Sequence, residues 1–148
     1  MLHYGQSQLA AEKIGRELGE ENCHLISADL SSSGAATSLW DKACTWAGRI
    51  DVLVNNAGIY EPAPNDLSLE AWQQARARML QINLIAPAEL CRVAAQHFSS
   101  HGEGIIVNVS SRSAFRGDLQ EYAHYAASKG GIVSLTRTFA RSYADAGV

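Results

Sequence analysis

Proline is scarce in this chain, with 3 in 148 residues, and cysteine and tryptophan are no commoner at 3 each. So little proline excludes collagen and proline-rich disordered segments. Cys23, Cys44 and Cys91 are an odd number at wide spacing. A disulfide scaffold and a zinc finger are therefore excluded, and a reducing cytoplasm is the expected location. No apolar run approaches the roughly 20 residues needed to cross a membrane. Met1-Leu2-His3-Tyr4 does not read as a signal peptide. Neither charge dominates, with 12 Lys and Arg against 15 Asp and Glu, a net −3 and no basic cluster. Nucleic acid is thus not an expected partner. What remains is 47% hydrophobic and 18% charged, the balance of one soluble globular domain. A domain of this length buries roughly two-thirds of its unfolded surface, enough for one core.

Short apolar runs alternate with longer helical patterns. The strand candidates are Cys23–Ala28, Ile50–Val54 and Ile105–Val109, with Leu2–Tyr4 as the tail of an earlier one. The second and third are β-branched almost throughout, as in parallel strands covered on both faces. Helix is predicted over residues 8–18, with Ala11, Ile14 and Leu18 on one face and Gly19 as a stop. Ser31, Ser32 and Ser33 offer N-caps for a second helix. Its inner face would carry Ala36, Leu39, Trp40, Ala43, Cys44 and Ala47, and Gly48 would end it. A long helical stretch runs from about Ser68 to Phe98 and a last helix from about Tyr122 to Ala146. This alternation predicts a doubly wound α/β domain with a parallel sheet.

The chemistry begins with Tyr125-Ala126-Ala127-Ser128-Lys129. Residues at i and i+4 share a helix face, about 6 Å apart at Cβ. A phenol ordinarily titrates near pH 10, and a nearby ammonium favours its ionised form. The pair is a workable general acid/base. Alone it is weak, because such spacing recurs on amphipathic helices where the tyrosine packs and the lysine is solvated. It has company. Val54-Asn55-Asn56-Ala57-Gly58 leaves a strand end, where open α/β sheets place their ligand crevice. Ser110-Ser111 leaves another, Asp29-Leu30 a third, and Ile82-Asn83-Leu84 lies on the long helix between them.

In this order and spacing the chain resembles the short-chain dehydrogenase/reductase family, over essentially all 148 residues. It is nearest the single-domain branch that contains 3-oxoacyl-carrier-protein reductases and glucose dehydrogenases. The resemblance implies a Rossmann-type domain and hydride transfer between a nicotinamide cofactor and a carbonyl or alcohol. It implies that Tyr125 protonates the carbonyl oxygen or, in reverse, accepts the alcohol proton. Lys129 would support that phenol and bind the nicotinamide ribose. Ser111 would hold the substrate oxygen, and Asn83 would complete a proton relay through water. Asp29 and Leu30 would flank the adenine, while Asn55, Asn56, Ala57 and Gly58 would shape the cofactor wall. The helices 69–98 and 122–146 would pair subunits into a homo-oligomer.

Some assignments stay open. The family commonly places its serine thirteen residues before the tyrosine, and here that position is Arg112. Ser111, right after the strand, is favoured with one extra residue in the loop 114–124; Ser113 is the alternative. Pro87, four residues after Asn83, removes the N–H that the Asn83 carbonyl would bond, freeing it for the relay water or merely kinking the helix. After Leu2–Tyr4 no acid appears before Glu12, so a ribose 2′-phosphate would meet no repulsion and Ser7 could donate to it. NADP(H) is therefore favoured over NAD(H), with an ordinary N-cap the other role for Ser7.

Other candidates are weaker. His97 and His101 have metal-ligand spacing but no third ligand nearby. Cys23 and His24 face opposite sides of a strand. Arg112 and Arg116 read as solvated loop residues, and Tyr122 has no lysine four residues on. The family's Thr-Gly-x-x-x-Gly-x-Gly phosphate loop and its first and sixth strands have no counterpart here. The resemblance thus implies the second to fifth strands only, as two half-sheets with open inner edges. The rival expectation is a truncated, inactive chain that keeps its assembly surfaces. Asn-Asn-Ala-Gly argues against a third, an epimerase or dehydratase of the extended branch.

Overall fold

A computed structural model of the chain describes residues 1–19 and 21–148. Four short strands alternate with helices: β1 (Leu2–Tyr4), α1 (Gln8–Leu18), β2 (Leu25–Ser27), α2 (Ala35–Ala47) and β3 (Val52–Asn55). There follow α3 (Leu69–Leu80), a π-helical turn (Gln81–Ile85), α4 (Ala86–His101), β4 (Ile105–Asn108), α5 (Ser113–Arg116) and α6 (Ala123–Tyr143). One 3₁₀ turn, Gln120–Tyr122, leads into α6 and another, Ala144–Ala146, follows it. All strand pairing among the described residues is parallel. β1 pairs with β2 through Leu2–Leu25, His3–Ile26 and Tyr4–Ser27. β3 pairs with β4 through Val52–Ile105, Leu53–Ile106, Val54–Val107 and Asn55–Asn108. The two pairs form separate two-stranded sheets. Residues of β1 and β3 line opposite parts of one cleft, of about 890 Å³.

The α/β alternation stands as expected, and the departures from it are local. The helix over 8–18 is present and ends at Gly19, whose φ of 88° suits glycine. Its buried residues, however, are Ala11 and Gly15, while Ile14 and Leu18 are exposed. Gly15 faces β2, and a Cβ there would meet Leu25 Cδ2 at 3.5 Å, an ordinary contact. The three serines do not cap α2, whose N-cap is Gly34. Ser31 instead turns back on Asp29, giving both its N–H (2.9 Å) and its hydroxyl (2.7 Å) to Oδ1. That local bond competes with capping. Ala36, Leu39, Trp40 and Ala43 of α2 are buried, Cys44 partly so, and Ala47 is exposed.

The long stretch over 69–98 is two α-helices joined by the π turn. It starts at Ser68, whose hydroxyl accepts the Ala71 N–H at 3.2 Å. The π turn widens the helix just before Pro87, as expected where an i→i−4 bond cannot form. Gly131 of α6 fits against this turn, since a Cβ there would lie 2.9 Å from Leu84 Cδ1. The main core joins Ile26, Leu30, Leu39, Trp40, Ile82, Leu90 and Phe98. β3 and β4 are not covered on both faces. Leu53 and Ile106 turn to the core, whereas Val52, Val54, Ile105 and Val107 are 43–58% exposed.

Candidate active site

The sheet of β3 and β4 ends in two asparagines that are register partners. Both side chains turn inward. Asn55 Nδ2 donates to Asn108 Oδ1 (2.8 Å) and more weakly to Cys91 Sγ (3.4 Å). Asn108 Nδ2 donates to Thr136 Oγ1 (2.9 Å), which donates to Ile132 O in α6 (2.7 Å). Polar side chains in so dry a place need this mutual satisfaction. The network ties β3, α4, β4 and α6 together directly beneath the pocket. Asn55 touches the cleft, yet its amide is committed to the sheet.

Beyond the strand ends, α6 presents Tyr125 and Lys129 to a pocket of about 180 Å³ shared with Asn56, Gly58, Ile59, Tyr60, Val109 and Ser110. The i, i+4 expectation holds, with Lys129 Nζ 5.9 Å from the Tyr125 ring centre. Nζ donates to the Val109 carbonyl (2.8 Å), and Ser110 Oγ donates to the Lys129 carbonyl (3.0 Å). Only 6% of Lys129 is exposed. That burial pushes its ammonium below the ordinary lysine range.

Asn83 is 1% exposed, in the π turn. Its amide clamps the backbone of one residue: Oδ1 accepts the Ile59 N–H and Nδ2 donates to the Ile59 carbonyl, each at 2.8 Å. The clamp fixes the loop that follows Asn56-Ala57-Gly58. At Gly58 a Cβ would sit 3.3 Å from Asn83 Oδ1 and 3.6 Å from Lys129 Nζ. A side chain at that point would press on the Asn83 amide oxygen, while meeting the lysine at ordinary contact distance.

The two serines have different surroundings. Ser113 is buried and its hydroxyl donates to Asp118 Oδ2 at 2.6 Å. Ser111 is half-buried, and its hydroxyl accepts the Ser113 N–H at 3.2 Å, which leaves its own proton free to donate. The pocket lining itself includes Ser110 rather than either of them. Tyr60 and Asp118 were not foreseeable from motif spacing, since they meet across two loops. Tyr60 stacks on Tyr122 at 4.1 Å and stands edge-on to Tyr125 at 4.7 Å.

The larger cleft collects Tyr4, Ser7, Asp29, Leu30 and the segment Asn55–Gly58. Leu30 is buried and Asp29 exposed. The Ser31 bonds hold the Asp29 carboxyl below the usual carboxylate range. Ser7 is the N-cap of α1, though its side chain makes no capping bond. The cleft's volume suits a sizeable small molecule, and it shares Asn56 and Gly58 with the Tyr125 pocket.

The remaining candidates have plain structural uses. His97 Nε2 accepts the Ile50 N–H (3.2 Å), and His101 Nδ1 lies 2.7 Å from the His97 carbonyl. No group of three side chains able to hold a metal ion occurs among the described residues. His24 stacks on Trp46, and Cys23 is buried. Arg112 and Arg116 are exposed. No helix among the described residues is long and apolar enough to cross a membrane.

Comparison with known proteins bears on this geometry. The model of the short chain dehydrogenase family matches residues 1–148. The chain is 38% identical over 125 residues to a 3beta-hydroxysteroid dehydrogenase of Eggerthella lenta, covering 83% of this chain and 46% of that protein. It is equally similar to a cis-4-hydroxycyclohexanecarboxylate dehydrogenase of Sinomonas cyclohexanicum, covering 83% and 48%. Among solved structures it superposes with TM-score 0.78 and 35% identity on a putative NAD(P)-dependent gluconate 5-dehydrogenase from Beutenbergia cavernae with bound NADP. That match covers 95% of this chain and 54% of the other. The chain spans about half the length of the curated relatives it matches.

Proposed function

The chain belongs to the short-chain dehydrogenase family, and from that membership and the pocket we propose that the protein carrying it is an NAD(P)-dependent oxidoreductase acting on a small carbonyl or alcohol. All 148 residues are assigned to one dinucleotide-binding α/β domain. The observation that carries the reading is the shared pocket of Tyr125 and Lys129 at the end of β3 and β4.

A bound nicotinamide dinucleotide supplies the hydride that reaches the carbonyl carbon. The chain's own residues handle the proton and the positioning. Tyr125 gives its hydroxyl proton to the carbonyl oxygen, and in the alcohol direction its phenolate accepts one. Lys129, a turn away and pinned to the Val109 carbonyl, holds its ammonium beside the Tyr125 ring. Ser111 has a free hydroxyl proton to orient the substrate oxygen, whereas the Ser113 proton is spent on Asp118. Asn83 holds the Ile59 loop in place, and its backbone carbonyl, opposite Pro87, is the anchor for a relay water. Asn56, Ala57 and Gly58 line the cofactor wall, with Asp29 and Leu30 at its far part. The segment His3–Ser7 brings no carboxylate to the cleft and Ser7 brings a hydroxyl. That supports NADP(H) over NAD(H).

The test is turnover by the protein carrying this chain, with Tyr125→Phe beside it. The variant should lose roughly 10²–10⁴-fold in kcat, while its affinity for the dinucleotide stays within a few-fold. Activity near that of the unaltered protein would remove Tyr125 from the proton-transfer role. Tighter binding of NADH than of NADPH would reverse the cofactor preference.

A further inference from the structure

We propose that Tyr60, anchored to Asp118, is a positioning residue that sets the orientation of the Tyr125 phenol. The proposal rests on the reading of Tyr125 as the acid/base. Tyr60 follows Ile59, whose N–H and carbonyl are both bonded by the Asn83 amide. Its backbone is therefore fixed relative to the π turn. Its hydroxyl makes a long bond to Asp118 Oδ1 at 3.4 Å. Asp118 is held in turn by the Ser113 hydroxyl at 2.6 Å and the Leu119 N–H at 2.9 Å. Between these two anchors the Tyr60 ring lies parallel to Tyr122, with 6° between the planes, and at 79° to Tyr125. One ring thus connects the loop after β3, the segment after α5 and the first turn of α6.

Core packing alone does not account for it. Tyr60 is 52% exposed, so it fills no interior space, and its ring meets the other two tyrosines. It also lines the small pocket with Tyr125 and Lys129. An edge-on aromatic contact at this spacing has a preferred geometry and restricts ring rotation. Desolvation and the adjacent Asp118 carboxylate push the Tyr60 phenol above its ordinary value.

The experiment has two readouts. In the protein labelled with ¹³C at tyrosine Cζ, Tyr60→Leu should shift or broaden the Tyr125 resonance. Tyr143, which stacks on Phe139 away from the pocket, should stay in place. Asp118→Asn and Tyr60→Phe should each give a smaller change of the same sense, because both keep the ring and weaken or remove its anchor. In turnover, Tyr60→Leu should lower kcat about 10-fold or more, as small misplacements of a reacting group do. The KM for the dinucleotide should stay level, and Tyr60→Phe should recover most of the rate. An unmoved Tyr125 resonance in Tyr60→Leu overturns the proposal. So does a loss of kcat matched by an equal rise in cofactor KM and by equal losses in Tyr60→Phe. Failure of the acid/base reading is distinguishable: Tyr125→Phe would then remain active while the resonance shift persisted.

Discussion

The unit built from β1, α1 and β2 and the unit built from β3, α4, β4 and α6 share one architecture, yet they are held very differently. In the second, Cys91, Ala94, Ala95 and Phe98 are wholly buried and four side chains hydrogen-bond across its elements. In the first, the strands have three residues each, and α1 exposes Leu9 (81%), Leu18 (57%) and Ile14 (43%). The proposed proton-transfer groups sit on the well-held unit. The loosely held one contributes Tyr4 and Ser7 to the wall of the cleft. Reacting groups need a fixed geometry, whereas a wall that receives a flexible ligand tolerates movement.

The sharpest way to break that comparison is Phe98→Ala. Phe98 is fully buried and meets Trp40 and His97 edge-on. Truncation should destabilise the protein by about 3–5 kcal/mol, measured by denaturant unfolding. A loss below about 1 kcal/mol would show that the second unit is not where stability resides.

Next comes the amide network. Asn108→Ala takes the 2.8 Å acceptor from Asn55 Nδ2, which keeps only the longer Cys91 contact, and the 2.9 Å donor from Thr136 Oγ1. The expected cost is about 1–3 kcal/mol. In a double-mutant cycle, Asn55→Ala and Asn108→Ala should be non-additive by at least 0.5 kcal/mol or so. Additive effects would mean that the two amides are independent supports.

The units also differ in how far the sequence reveals them. Asn55, Tyr125 and Lys129 announce themselves, because strand ends and i, i+4 helical spacing are local patterns, whereas Asn108, the register partner of Asn55, gives no such signal. The stops at Gly19 and Gly48 are local too. In α1 the pattern misleads: Ile14 and Leu18 look like the inner face, but the helix turns Ala11 and Gly15 inward instead, with Gly15 facing Leu25 of β2. Ser31 looks like a cap, yet the nearby Asp29 carboxylate takes its hydroxyl. The π turn has only Pro87 as its signal, and the partner of Asn83, Ile59, lies 24 residues away. Tyr60 and Asp118, 58 residues apart, meet only once the loops are folded. No periodicity encodes such a contact.

A pH-dependent effect should follow from His124, in the first turn of α6. It is 7% exposed, its Nε2 has no hydrogen-bond partner, and burial holds it below its ordinary value of 6.5. The unfolded chain then binds the proton more readily than the folded one. Stability is full above about pH 6.5 and falls as pH drops from there toward the lowered folded value. Replacing His124 with Gln should flatten this acid limb in thermal melts between about pH 7 and 5. An unchanged slope would assign it to other groups.

The smallest effect should come from α1, and there the sign reverses. Gly15 lies within the helix, where glycine costs about 0.5–1 kcal/mol relative to alanine. A methyl at this position would reach Leu25 Cδ2 at 3.5 Å, an ordinary van der Waals contact that requires no movement of the backbone. Gly15→Ala should therefore stabilise the protein by up to that amount, by removing freedom from the unfolded chain and adding one apolar contact to β2. Leu9→Ala, on the outer side of the same helix at 81% exposure, should change stability by no more than about 0.5 kcal/mol. Both follow from a first unit with room to spare. If Gly15→Ala proves destabilising by 1 kcal/mol or so, the helix is held against β2 as tightly as α4 is held against its neighbours, and the contrast between the two units disappears.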